Sequence, residues 1–108
     1  MVVPFDALAE PHRRQILDLL AESERPVGYL VDRLPLTQPA VSKHLRILRE
    51  AGLVEVRGEA QRRLYRVRPE PLQEIAAWLE PYRRMWAERL DDLERHLDTN
   101  PTDNRREQ

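Results

Sequence analysis

The stretch "TQPAVSKHLRILREAGLV", residues 37–54, constrains the chain more than any other, because its punctuation and its apolar spacing agree. Thr37 offers a hydroxyl to the first free N–H groups of a helix, and Pro39 falls in the first turn, where a missing N–H is harmless. Val41, Leu45 and Leu48 then recur at helical spacing and line one face. Gly52, just after Ala51, is able to take the left-handed conformation that ends a helix. Start, buried face and stop are all written locally. The outward face then carries Gln38, Ser42, Lys43, Arg46 and Arg49, residue types that hydrogen-bond bases or phosphates.

The neighbouring segments fall into place around this helix. Upstream, "PFDALAE" reads as a short helix and "PHRRQILDLLAES" as a second, opened by Pro11 and apolar along Ile16, Leu17, Leu19 and Leu20. "PVGYLVDRL" reads as a third, opened by Pro26 and burying Leu30, Val31 and Leu34, and "PLT" makes a tight turn. Downstream, two β-prone runs, 53–57 and 62–68, flank Gly58, Glu59, Ala60 and Gln61 and predict a hairpin closed off by Pro69 and Pro71. Helix, tight turn, helix, hairpin is the order of a winged helix-turn-helix, whose second helix enters the major groove of DNA. The hairpin's Arg57, Arg62 and Arg63 then reach the adjacent backbone or minor groove. The predicted class is mainly α with one small β-hairpin.

A last helix is expected from near Glu70 to about Thr99. Its apolar stripe, Leu72, Ile75, Leu79, Tyr82, Trp86, Leu90, Leu93 and Leu97, is close to a coiled-coil seam, and Pro81 should kink the helix or split it. Trp78, Tyr82 and Trp86 at steps of four allow two readings, a pocket for an apolar effector or the core of a dimer. Aromatic stripes at helical spacing favour the second. The closing "TNPTDNRREQ" is polar and expected to fray.

At 108 residues there is room for one domain of a size that dimerisation often completes. Hydrophobic content of 41% and charged content of 34% suit a folded, helix-rich chain. No apolar run approaches the ~20 residues of a membrane span, and the opening "MVVPFDALAE" lacks the marks of a secretory signal, so a cytoplasmic protein is expected. The absence of cysteine excludes disulfides, thiolate metal sites and cysteine nucleophiles. The formal net charge of −1 hides a division: residues 37–68 hold eight basic and three acidic side chains, net +5, leaving −6 elsewhere. A basic centre between acidic ends fits a small domain with one face toward phosphate. Of the three histidines, His12 is expected exposed and inert and His96 on the surface beside the seam. His44, at the edge of the buried face, is expected to pack against the hairpin or a phosphate. Ser42, Lys43 and His44 are consecutive on a helix and point apart, and no other nucleophile–base pair, phosphate loop or metal triad is evident, so an enzyme is not expected. A winged-helix protein–protein adaptor is the alternative, against which the density of donors on residues 38–49 and 57–68 weighs.

Three segments, "LAEPHRRQILDLL", "LTQPAVSKHLRILREAGLV" and "RRLYRVRPEPL", resemble the ArsR/SmtB-type bacterial transcriptional regulators, over roughly residues 4–98. The resemblance implies a homodimeric winged-helix repressor spanning residues 1–98, followed by a polar tail, 99–108. Its helix-turn-helix would occupy about 26–51, its wing about 53–68 and its dimerisation helix about 70–98. Phe5 and Leu8 of the first helix would join the seam residues in the dimer interface. Thr37, Gln38, Pro39, Ser42, Lys43 and His44, with Arg46, Arg49 and the wing arginines, would face double-stranded operator DNA. Two-fold pairing sets the recognition helices about 34–36 Å apart and calls for an inverted repeat. Such repressors commonly sit on their own promoters and leave when an effector binds. The family's metal sites are not reproduced: Pro26 and Gly28 stand where a Cys-x-Cys would be, and His96, beside Asp91, Asp92 and Glu94, has no second histidine. No metal or cofactor is therefore expected, and the effector is left open.

Overall fold

The computed structural model of the protein describes residues 4–99. The elements run α1 (Pro4–Leu8), α2 (Pro11–Glu22), α3 (Val27–Arg33), α4 (Gln38–Glu50), β1 (Val54–Glu59), β2 (Arg62–Val67) and α5 (Pro69–Thr99). By its contacts the chain forms two compact units that meet between Gln73 and Glu74. The polar tail expected over 99–108 lies, beyond Thr99, outside the described residues.

In the first unit, α2 begins as its proline dictates, with the Glu10 carboxylate capping it by accepting the Arg13 N–H at 3.1 Å. Arg13 and Arg14 turn back to donate to the carbonyls of Ala7 and Leu8, each at 2.7 Å, satisfying the C-terminal end of α1. Helix α4 is built as its sequence indicates: Thr37 Oγ1 accepts from the Ala40 N–H at 3.3 Å, and Pro39 lies inside the first turn. At its far end Gly52 has φ +80. The Gly52 N–H donates to Arg49 O and the Leu53 N–H to Leu48 O, the paired closure of a Schellman cap. Val41, Leu45 and Leu48 enter a core with Ile16, Leu17, Leu20 and Leu30, joined by Leu53 and Val54 from the start of the hairpin.

The hairpin is antiparallel, with Val56 opposite Tyr65 and Glu59 opposite Arg62, so its loop is only Ala60 and Gln61. This corrects the four-residue turn read from the sequence: Gly58 and Glu59 belong to β1, and the positive φ, 55°, falls on Ala60. A third backbone segment joins the sheet, since Arg25 and Tyr65 exchange N–H···O bonds of 2.9 and 2.8 Å just before α3. Leu72, early in α5, packs on the core.

The second unit holds the remainder of α5, which runs through Pro81 as one helix rather than splitting there. Trp78, Tyr82, Met85, Trp86, Leu90 and Leu93 are exposed along it, and the rings of Trp78 and Tyr82 lie 5.3 Å apart. No helix among the described residues is long and apolar enough to cross a membrane.

Candidate nucleic-acid interface

With Val41, Leu45 and Leu48 buried, helical geometry fixes what faces solvent. At about 100° per residue, Gln38, Ser42, Arg46 and Arg49 fall within about 80° of one another, and Lys43 flanks them. All five are exposed, as are Thr37 and Pro39 at the helix start. Lys43, Arg46 and Arg49 make no ion pair among the described residues. Beside the C-terminal half of α4, Arg46, Arg49 and Glu50 line an open groove with Val54, Glu55, Val56 and Arg68 of the hairpin region. The arrangement is a polar stripe continuing into a groove where three arginines stand beside two glutamates.

The wing arginines are not equivalent. Arg57 donates twice to the Glu24 carboxylate, one bond measuring 3.0 Å, and lies 3.6 Å from Glu59. These hydrogen bonds hold the Glu24 carboxyl below its usual range and raise the Arg57 guanidinium. Arg62 is paired with Glu59 at 3.4 Å, whereas Arg63 has no ion-pair partner among the described residues. Behind them Arg66 donates to Glu55 at 2.6 Å, and Arg68 lies between Glu55 and Glu70. Of the three wing cations named from the sequence, Arg63 is without an ion pair among the described residues, and Arg57 is tied to the segment before α3.

His44 departs from expectation. Its side chain is 16% exposed and turns away from the Ser42 stripe, toward the first turn of α2 rather than the hairpin. Arg13 Nη1 approaches His44 Nδ1 at 3.4 Å, His44 Nε2 stands 3.9 Å from Glu10 Oε2, and the His12 ring is centred 6.0 Å away. Burial, seconded by Arg13, His12 and Lys43, pushes the His44 pKa down against the attraction of Glu10. His12 is not the inert surface residue expected: its Nδ1 lies 3.1 Å from Glu10 Oε1. The sequence reading did not connect Glu10 or His12 with His44, because they are more than thirty positions apart and only the α2–α4 packing brings them together.

In the second unit, the helical arc that contains Tyr82, Trp86, Leu90 and Leu93 also takes in Trp78 and Met85, within about 140°. Met85, absent from the seam drawn from sequence, is exposed with them. Phe5 is exposed on α1, and Leu8, Leu72, Ile75, Leu79 and Leu97 are half-buried.

Comparison with known proteins gives one direction. A family model described as "Bacterial regulatory protein, arsR family" matches residues 10–56. An HTH-type transcriptional regulator of Mycobacterium tuberculosis is 35% identical over 99 residues, covering 92% of this chain and 90% of that one. The transcriptional activator HlyU of Vibrio cholerae is 40% identical over 87 residues, covering 81% and 78%. Among solved structures, an ArsR-like transcriptional regulator from Rhodococcus superposes with a TM-score of 0.66 at 32% identity, over 84% of this chain and 86% of that one.

Proposed function

The chain belongs to the ArsR family of bacterial regulatory proteins, and from that premise we propose that it binds an inverted-repeat operator as a homodimer and represses transcription, its own promoter included. That it is a DNA-binding transcriptional regulator with a winged helix-turn-helix follows from the family; this is a family of regulators, not of enzymes. The observation that carries the finer reading is the α4 stripe: Gln38, Ser42, Arg46 and Arg49 exposed in one row, flanked by Lys43 and without ion pairs among the described residues. In this reading Gln38 and Ser42, nearest the helix N-terminus, read base edges, while Thr37, Pro39, Lys43, Arg46, Arg49 and Arg63 position the helix on the backbone. His44, inward-facing, supports α4 from behind. The exposed seam of α5, with Phe5 and Leu8, supplies the dimer contact and so the two-fold symmetry of the operator. The domain then comprises a helix-turn-helix over 26–51, a wing over 53–68 and a dimerisation helix from about residue 70. The sign of regulation depends on where the operator lies, and HlyU is named an activator; repression is expected when the site overlaps the promoter.

A DNase footprint on the DNA upstream of the protein's own gene tests this. The expected result is protection of one inverted repeat, with Gln38→Ala or Ser42→Ala losing discrimination at particular base pairs worth about 1–3 kcal/mol each. Uniform weakening by these substitutions on every sequence would refute the assignment of base readers.

A further inference from the structure

Outside the DNA-facing stripe, the joint between α2 and α4 gathers three metal-ligating side chains. One ligand atom from each of Glu10, His12 and His44 lies within 4.8 Å of the other two, and all three residues are half-buried. We propose that Glu10, His12 and His44 form a binding site for a borderline divalent transition-metal cation such as zinc(II), bridging α2 to the inner flank of the recognition helix. This site is separate from the positions of Pro26 and Gly28 and from the last helix with His96, and it stands whether or not the DNA reading holds.

Distance and chemistry both fit. Ligand atoms held about 2.0–2.1 Å from a tetrahedral zinc ion stand about 3.3 Å apart. His12 Nδ1 is 3.1 Å from Glu10 Oε1 and His44 Nε2 is 3.9 Å from Glu10 Oε2, and with one ligand atom from each residue all lying within 4.8 Å of one another, closure needs shifts of up to about 1.5 Å. Two imidazoles and a carboxylate suit a borderline cation better than calcium or magnesium, which prefer all-oxygen shells. Three protein ligands leave a fourth position to water.

Burial pushes the His44 pKa down, and Glu10 is held below its usual range: desolvation, the largest influence, opposes this, but the backbone N–H groups of Arg13 and His12 help to outweigh it. Two features limit affinity. The N-terminus of α2 is the positive end of the helix dipole, and Arg13 Nη1 faces His44 Nδ1 at 3.4 Å. When Nε2 takes the metal the imidazole proton moves to Nδ1, and this contact opens while Arg13 keeps its bonds to the carbonyls of Ala7 and Asp6. A dissociation constant on the order of micromolar is therefore expected, far weaker than a closed structural zinc site.

The test is a competition between untagged protein and a chromophoric zinc chelator, read by absorbance, with thermal unfolding measured in parallel. The expected result is one zinc ion per chain and a raised unfolding temperature. Glu10→Gln, whose amide oxygen still caps α2, and His12→Gln, whose side chain is 38% exposed, should each weaken binding by at least about tenfold. His12→Gln should melt as wild type does when zinc is absent, and His96→Gln should bind zinc as wild type does. Failure of the wild-type protein to compete, undiminished binding in His12→Gln, or loss of binding in His96→Gln would each overturn the proposal.

Discussion

Trp86→Ala is the substitution that tests the dimer most directly. Trp86 is 63% exposed, on the face of α5 shared with Tyr82, Leu90 and Leu93. An aromatic side chain of this size offers on the order of 250 Å², so about 160 Å² per protomer is available to a partner. At about 25 cal/mol per Å² that is about 4 kcal/mol for each copy and about 8 for a two-fold interface. Incomplete burial and the ordering of side chains take much of this away. If only a quarter survives, about 2 kcal/mol, the dimer dissociation constant rises about thirtyfold. Trp86→Glu goes further, because it buries a carboxylate against its symmetry mate. Since Trp86 is exposed in the single chain, neither change should disturb the fold, which circular dichroism verifies. Sedimentation velocity across the micromolar range is the assay. Wild type should be dimeric, Trp86→Glu monomeric, and Glu88→Gln, on the other side of the helix, unchanged. A monomeric wild type, or a Trp86→Glu variant that stays dimeric, refutes the seam.

Arg63→Ala should weaken binding to all DNA sequences alike and lower the salt slope by about one per protomer. Arg57→Ala should leave that slope unchanged and instead lower stability slightly, matched by Glu24→Gln, as chemical denaturation will show. Stability in a metal-free buffer should fall as pH drops below about 6.5, where an unfolded imidazole takes up its proton but His44 still resists. The loss is complete once pH passes below the lowered value of the folded state, and His44→Gln should remove this part of the profile; an unchanged profile would place the titrating group elsewhere. Ala60→Gly, which relieves the positive φ at the hairpin loop, should stabilise the protein by up to about 1 kcal/mol in the same measurement.

Helix α4 was legible because everything that defines it is local. Thr37, Pro39, the spacing of Val41, Leu45 and Leu48, and Gly52 each act within a turn or two of the chain, and the structure uses every one of them. The hairpin loop was not legible, for a specific reason. Pairing Arg57 with Arg62 instead of with Leu64 shifts the register by two residues, which leaves every side chain on the same face. Apolar alternation is therefore blind to the difference. What decides it is pairing at the other end: Glu55 bonded to Arg66, and Tyr65 bridged to Arg25, a residue more than thirty positions away. The Glu10–His12–His44 cluster escaped for the same reason, since α2 and α4 meet only in the tertiary fold. On α5 the apolar stripe was visible as spacing, but the exposed Met85 was passed over because it falls between the steps of the stripe.

The distribution of ion pairs turns the charge argument into a number. The sequence counts eight basic side chains over residues 37–68, and treating all of them as phosphate contacts would give a salt slope of about −7 per protomer, about −14 for a dimer. In the structure Arg57, Arg62, Arg66 and Arg68 each face a carboxylate within 4.0 Å, from Glu24, Glu55, Glu59 or Glu70. Those pairs hold the hairpin together and tie it to the segment before α3, so a phosphate must displace a carboxylate to gain any of these cations. Lys43, Arg46, Arg49 and Arg63 meet no such competition among the described residues. Four phosphates neutralised per protomer correspond to a slope of about −3.6, hence about −7 for a dimer on an inverted repeat. Fluorescence anisotropy against log salt concentration reads this directly. A slope near −14 would show that the wing pairs open on DNA, and one near zero would remove the phosphate contacts altogether. A slope near −7 that falls to about −5 in Arg63→Ala is the result expected if the acidic residues serve to hold the wing while the recognition helix is left free to meet the duplex.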